Sequence, residues 1–175
     1  RASPGASFDV SARRQVAISP MIVLILLLLV PVVTLWAVWR WAGDRAAQAL
    51  DMKIEKIASG SATLSMAVRE DMVNGHNICH GGYIFTLADT AFAYACNSQN
   101  YNAVAAGARI EFIAPGELGD RLSATARQVV QGGRTGVYDV VVSNQEGRQL
   151  ALFRGNSHRI GGALVDEKTG EPING

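Results

Sequence analysis

Cysteine is scarce: Cys79 and Cys96 are the only two in 175 residues, too few for a disulfide-built scaffold. There is no surplus of either charge. Sixteen Lys and Arg stand against 15 Asp and Glu, a formal net of +1, which leaves no electrostatic footprint for nucleic acid. Histidine is limited to three residues and proline to five. Apolar residues, at 49%, are too abundant for a chain disordered throughout. What is left is one globular domain joined to something unusually apolar.

Charge is also absent locally. No ionisable residue occurs between Arg14 and Arg40, and Met21–Trp39 reads MIVLILLLLVPVVTLWAVW. At about 1.5 Å per helical residue its 19 residues approach the roughly 30 Å apolar thickness of a bilayer. Trp36, Trp39 and Trp41 fall where interfacial aromatics belong, and Pro31 is tolerable in such a helix. Three readings stay open. One is a transmembrane anchor, with basic residues at both ends and therefore no fixed orientation. The second is a cleaved signal, with Arg13-Arg14 before the run and Ala47-Gln48-Ala49 after it. The third is upstream DNA read as protein from a misplaced start, since the sequence opens on Arg1. Residues 1–40 carry net +3 and residues 41–175 net −2, so the two parts differ in kind.

The remainder reads as one α+β domain over 41–162 with a tail over 163–175. Trp41–Leu50 suits a short Ala-rich helix. Ala62, Leu64, Met66 and Val68 alternate as in a strand. Asn74–Gly82 (NGHNICHGG) is a loop, and Tyr83–Asn97 a helix of about four turns. Strands are expected at Ala103–Ile113, Leu122–Gln131, Gly136–Ser143 and Gln149–His158, broken by Pro115-Gly116, Gly132-Gly133 and Asn144–Gly147. Gly170–Gly175 is expected to fray. One helix cannot cover both faces of such a sheet, so a dimer is expected, with its shared site near the helix start.

Asp89 stands out in that helix. Ile84, Ala88, Ala91 and Ala95 form one face, and Asp89 falls on its flank beside Phe85, Phe92 and Cys96. A carboxylate among apolar neighbours is costly to bury, so it is paired, exposed at a cleft, or chemically active; an ordinary surface aspartate is the competing reading. Gly81 and Gly82 at the helix N-terminus present amides that suit an oxyanion, although a glycine-rich helix entry is common. His80 either orients the loop or polarises a carbonyl. His76, Cys79 and His80 lack the spacing of a zinc site, and both cysteines read as buried, reduced thiols.

NGHNICHGGYIFTLADTAFAYACNS (74–98), together with PGELGDRLSATA, GRTGVYDVVV and ALFRGNSHRIGG, closely resembles the phenylacetyl-CoA and hydroxyphenylacetyl-CoA thioesterases of phenylacetate degradation, in the hotdog superfamily. The resemblance implies an α+β hotdog fold: a five-stranded antiparallel sheet wrapped around a central helix. It implies homodimers that form the site, assembled into a homotetramer, acting on an acyl-CoA with no cofactor or metal. It assigns the catalytic acid to Asp89 and carbonyl polarisation to Gly81. Positioning of the water and the thioester falls to Asn74 and His80, and Thr90 lines the site. Tyr83, Phe85 and Phe92 are candidate acyl-pocket walls that suit the core equally well; Arg134 and Arg154 are candidate phosphate partners. Asn156 and Ala114 stand where the family usually has basic residues. Residues 1–40 have no counterpart in the family. Acyl-CoA chemistry places the domain in the cytoplasm, with membrane anchoring only if Met21–Trp39 is a genuine span. Two alternatives remain: a membrane-tethered, non-enzymatic acyl-CoA-binding module, and a hotdog enoyl-CoA hydratase, against which counts the lack of histidine in the helix.

Overall fold

The computed structural model describes residues 42–166, together with 168, 169, 171 and 173. The apolar run Met21–Trp39 lies outside them. Among the described residues no helix is long and apolar enough to cross a membrane.

Helix α1 (Arg45–Ala49) opens on Asp44, whose Oδ1 accepts the Ala47 N–H at 3.0 Å, as an N-cap should. Strands β1 (Lys53–Ala58) and β2 (Ser61–Ala67) follow as a hairpin, then a 3-10 turn (Glu70–Met72). The long helix α2 (Gly81–Asn97) precedes β3 (Ala103–Phe112), β4 (Arg121–Gly132), β5 (Thr135–Ser143) and β6 (Gln149–Arg159). The sheet order is β1-β2-β4-β5-β6-β3, antiparallel at every pairing.

The sheet therefore has six strands, not the five expected. The addition is β1, KIEKIA, whose three charged residues and mostly exposed side chains give no clean alternation. It is an edge strand, and charge with an irregular register at Ile54/Lys56 is how edges resist unwanted pairing. Helix α2 begins at Gly81, two residues before the expected start, because the Tyr83 N–H already donates to the His80 carbonyl at 2.9 Å. Of the stretch expected to fray, Gly170–Gly175, only residues 171 and 173 are described; the described part of the tail is held to the domain. Asn100 Oδ1 accepts the Leu164 and Val165 N–H groups, Val165 is buried, and the Ile173 N–H returns to the Leu164 carbonyl.

The core lies between α2 and the concave face of the sheet. Ile84, Leu87, Ala88, Ala91, Phe92 and Ala95 pack against Leu64, Met66, Leu122, Val140, Val142 and Phe153, all essentially inaccessible. Each large side chain so buried contributes about 1.5–3 kcal/mol. The alanines let the sheet curl close to the helix. Phe92 meets Phe153 and Tyr138 at ring distances of 5.9 and 5.5 Å. One edge of its ring also meets Gly155, where a Cβ would come within 2.9 Å of Phe92 Cδ2 and Cε2. Gly155→Ala should therefore overpack this contact and lower stability by about 1–3 kcal/mol, measurable by urea denaturation. An unchanged midpoint would mean that α2 can lift off β6.

Candidate active site

The N-terminus of α2 is built by the loop before it. Val73 and Cys79 form an antiparallel bridge, as do Ile78 and Glu117, and the Cys79 N–H donates to the Gly116 carbonyl at 2.8 Å. Asn74 Oδ1 accepts the His76 N–H at 2.9 Å and lies 3.5 Å from the Ile78 N–H, closing the turn internally. Its Nδ2 has no partner among the described residues, and Asn74 lines the cavity next to the helix start. His80 is the N-cap: its Nδ1 accepts the Gly82 N–H at 3.0 Å. In a neutral imidazole that leaves the proton on Nε2, so the free edge of the ring is a donor.

These contacts leave the Gly81 N–H over. The peptide is trans, and the His80 carbonyl points into the helix toward the Tyr83 N–H, so the Gly81 N–H points the opposite way. Among the described residues nothing accepts it. Gly81 lines a cavity of about 550 Å³ with Asn74, Ile78, Ile84, Phe112 and Ile113. An unpartnered amide at the positive end of a helix is suited to a developing oxyanion.

Asp89 sits two turns further along. It is half-buried and has no hydrogen-bond partner among the described residues. It lines a second cavity, of about 250 Å³, with Asp44, Phe92, Cys96, Asn97 and Ala103–Ala105. Burial raises its pKa above the ordinary aspartate value of 3.8. A less solvated carboxylate with no donor to satisfy it is a better base than one in water. Nearby, burial pushes the Cys96 thiol up to about 12 and the Cys79 thiol up to about 11, so both are unreactive thiols at neutral pH.

The other candidates are dispersed. The Thr90 hydroxyl donates to the Thr86 carbonyl at 2.8 Å, beside Asp89 in sequence but not among the residues lining its cavity. Tyr83 is half-buried, its hydroxyl 3.4 Å from the Asp71 carbonyl, and its ring meets His80 edge-on. Phe85 packs edge-on against Phe153 at 5.3 Å, at the margin of the core. The Arg134 Nε donates to the Arg159 carbonyl at 2.8 Å, tying the β4–β5 turn to β6. Both arms of the Arg154 fork hold Asp139 at 2.6 Å, which keeps that carboxyl below the ordinary range. Three lining residues gave no signal in the sequence. Asp44 falls unremarked within the short helix expected over Trp41–Leu50. Asn97 reads as a helix-end polar residue, yet its side chain clamps both the N–H and the carbonyl of Ala103. Phe112 reads as one more strand hydrophobe.

Residues 76–151 match the thioesterase superfamily model. The acyl-coenzyme A thioesterase PaaI of Escherichia coli K12 is 51% identical over 127 residues, which cover 73% of this chain and 91% of that protein. The solved structure of the E. coli PaaI protein from the phenylacetic acid degradation operon superposes with a TM-score of 0.74 at 49% identity, covering 75% of this chain and 96% of that one. A hypothetical thioesterase from Streptococcus pneumoniae TIGR4, solved with coenzyme A, gives 0.62 at 30% identity over 64% of this chain and 90% of that one. The fold and these relatives thus define a hotdog thioesterase. The chain belongs to the thioesterase superfamily, within its PaaI-type acyl-CoA thioesterases.

The raised Asp89 pKa has a consequence for stability. Below pH 3.8 the side chain is protonated whether the chain is folded or unfolded. As pH rises, the unfolded chain ionises first, so the native state progressively loses stability until its own pKa is passed. Asp89→Asn removes this penalty. It should raise the Tm relative to the parent at pH 7 and lose that advantage near pH 3.5. Thermal melts at the two pH values check this, and an unchanged Tm at pH 7 would show that the carboxylate is well solvated.

Proposed function

We propose that this chain hydrolyses phenylacetyl-CoA, or a hydroxylated or ring-opened relative, to the free acid and coenzyme A, at a site shared between two copies. The observation that carries this is the position of β3. It is an edge strand, it runs antiparallel to α2, and it joins the two cavities. Ala103–Ala105 line the Asp89 cavity at one end, and Phe112 lines the Gly81 cavity at the other. Val104–Arg109 are exposed in the single chain. Pairing β3 antiparallel with β3 of a second copy about a two-fold axis lays the Asp89 end of each copy on the Gly81 end of the other.

The chemistry then divides between the copies. The Gly81 N–H of one polarises the thioester carbonyl, and the oxyanion of the tetrahedral intermediate forms against it; one such donor contributes about 3–4 kcal/mol. The Asp89 carboxylate of the other takes a proton from the attacking water, or attacks the carbonyl carbon itself. The Asn74 Nδ2 and the His80 Nε2–H are free donors on the loop that leads into the helix, suited to hold the water and the thioester. The E. coli relative supports acyl-CoA as the substrate class, and the operon named for it supports an aryl-acetyl group. The domain would then work in the cytoplasm.

Thiol release from a panel of acyl-CoA thioesters tests the substrate. Phenylacetyl-CoA should exceed acetyl-CoA in kcat/KM, and no release from any member would defeat the enzymatic reading. Asp89→Asn should lower kcat at least about a hundredfold with the fold intact. The kcat/KM profile should lose activity on the acid side at a pH above the ordinary aspartate value, because the base must be ionised. Sedimentation should find no active monomer; activity that persists at dilutions where only monomer exists would rule out a shared site.

A further inference from the structure

The side of Gly81 that carries no side chain is already occupied. A Cβ placed there would lie 2.8 Å from Phe112 Cζ and 3.1 Å from its Cε1. The tip of the ring therefore fills the volume a Gly81 side chain would take, although Phe112 as a whole is 55% exposed. Its neighbours hold that contact from both sides. Phe112 pairs with the buried Ala151 in the β3–β6 ladder, which turns its side chain to the helix side of the sheet. The Ile113 and Ala114 N–H groups both donate to the Leu150 carbonyl, fixing the strand end. Opposite, the His80 N–H donates to the Met72 carbonyl at 2.8 Å, fixing the entry to α2.

We infer that Phe112 is the positioning residue for the Gly81 N–H: its ring braces the first peptide of α2 from the β3 side and keeps that flank of the amide dry. This rests on the oxyanion role proposed above for Gly81. The glycine is then required for a reason besides substrate approach, since any side chain would have to displace the ring that braces the helix entry. An oxyanion donor acts through its aim and its freedom from competing water. A displacement of about 1 Å in such a group can lower a rate by about a hundredfold. Phe112 acts through Gly81 and not on the ground-state thioester, so its removal should appear in kcat and not in KM.

The test is a set of variants of the full chain assayed with phenylacetyl-CoA, each with its Tm. Phe112→Ala should lower kcat about tenfold or more with KM changed less than about threefold. Phe112→Leu, which keeps apolar bulk on Gly81, should recover most of that loss. Gly81→Ala should lower kcat about a hundredfold in the parent, but much less when added to Phe112→Ala, where the clashing ring is gone. Near-normal kcat in Phe112→Ala, a defect confined to KM, or an equal effect of Gly81→Ala in both backgrounds would overturn the inference. Asp89→Asn is assayed alongside. If it is inactive while Phe112→Ala is normal, only the role of Phe112 falls; if it is active, the proposed carboxylate chemistry falls with it.

Discussion

Gly81 and Asp89 lie on one continuous helix, eight residues apart. At about 1.5 Å per residue they are about 12 Å apart along its axis. No side-chain rotation closes that gap to the few ångströms an attacked carbonyl requires. The helix is locked against the sheet along its whole buried face, so it cannot bend to do so either. The rest of the site follows from this separation. In the proposed reaction each chain supplies half of the chemistry from its own cavity, and the edge strand β3 runs between the halves. The helix that forms the core is also the ruler that sets their spacing.

The two halves are prepared in opposite electrostatic senses. At the N-terminus of α2 the backbone is left short of acceptors: Gly82 is capped by His80, Tyr83 is bonded to the cap carbonyl, and Gly81 is left over. Two turns on, a carboxylate is left short of donors and half-desolvated, which raises its pKa. Each is an incompletely satisfied group that a stability argument alone would remove, and each suits a reaction in which negative charge moves from carboxylate to carbonyl oxygen. Both need shelter from water: the aromatic ring lies over one flank of Gly81, and Phe92, Cys96 and Ala103 stand beside the polar Asp44 and Asn97 around Asp89.

Much of this was legible in the sequence, because strong local signals coincide there with tertiary roles. Apolar periodicity located α2 and the last four strands, and the turn residues located the breaks between them. Asp89 was conspicuous because a helix so rich in Ala and Phe offers it no partner. β1 was missed because an edge strand must be charged and irregular, which erases the alternation by which strands are read. At the start of α2 the glycines argue for a loop, whereas the His80 cap makes them helical. Arg154 pairs with its cross-strand neighbour Asp139, an ion pair set by register and not by sequence distance. The contact of Phe112 with Gly81 joins residues 31 apart, and no periodicity reports it.

The two margins of the sheet are unlike. β1 carries Lys53, Glu55 and Lys56, an interrupted register, and an ion pair from Glu55 to Arg121. β3 carries small residues and only two charges, Arg109 and Glu111. A ribbon with one guarded hem and one plain hem can be stitched to its own copy only once. After that, both outward borders are guarded, and growth into a filament is blocked at the first step. The feature the sequence hid best, a charged strand with no readable pattern, is thus the one that would keep a self-pairing sheet finite.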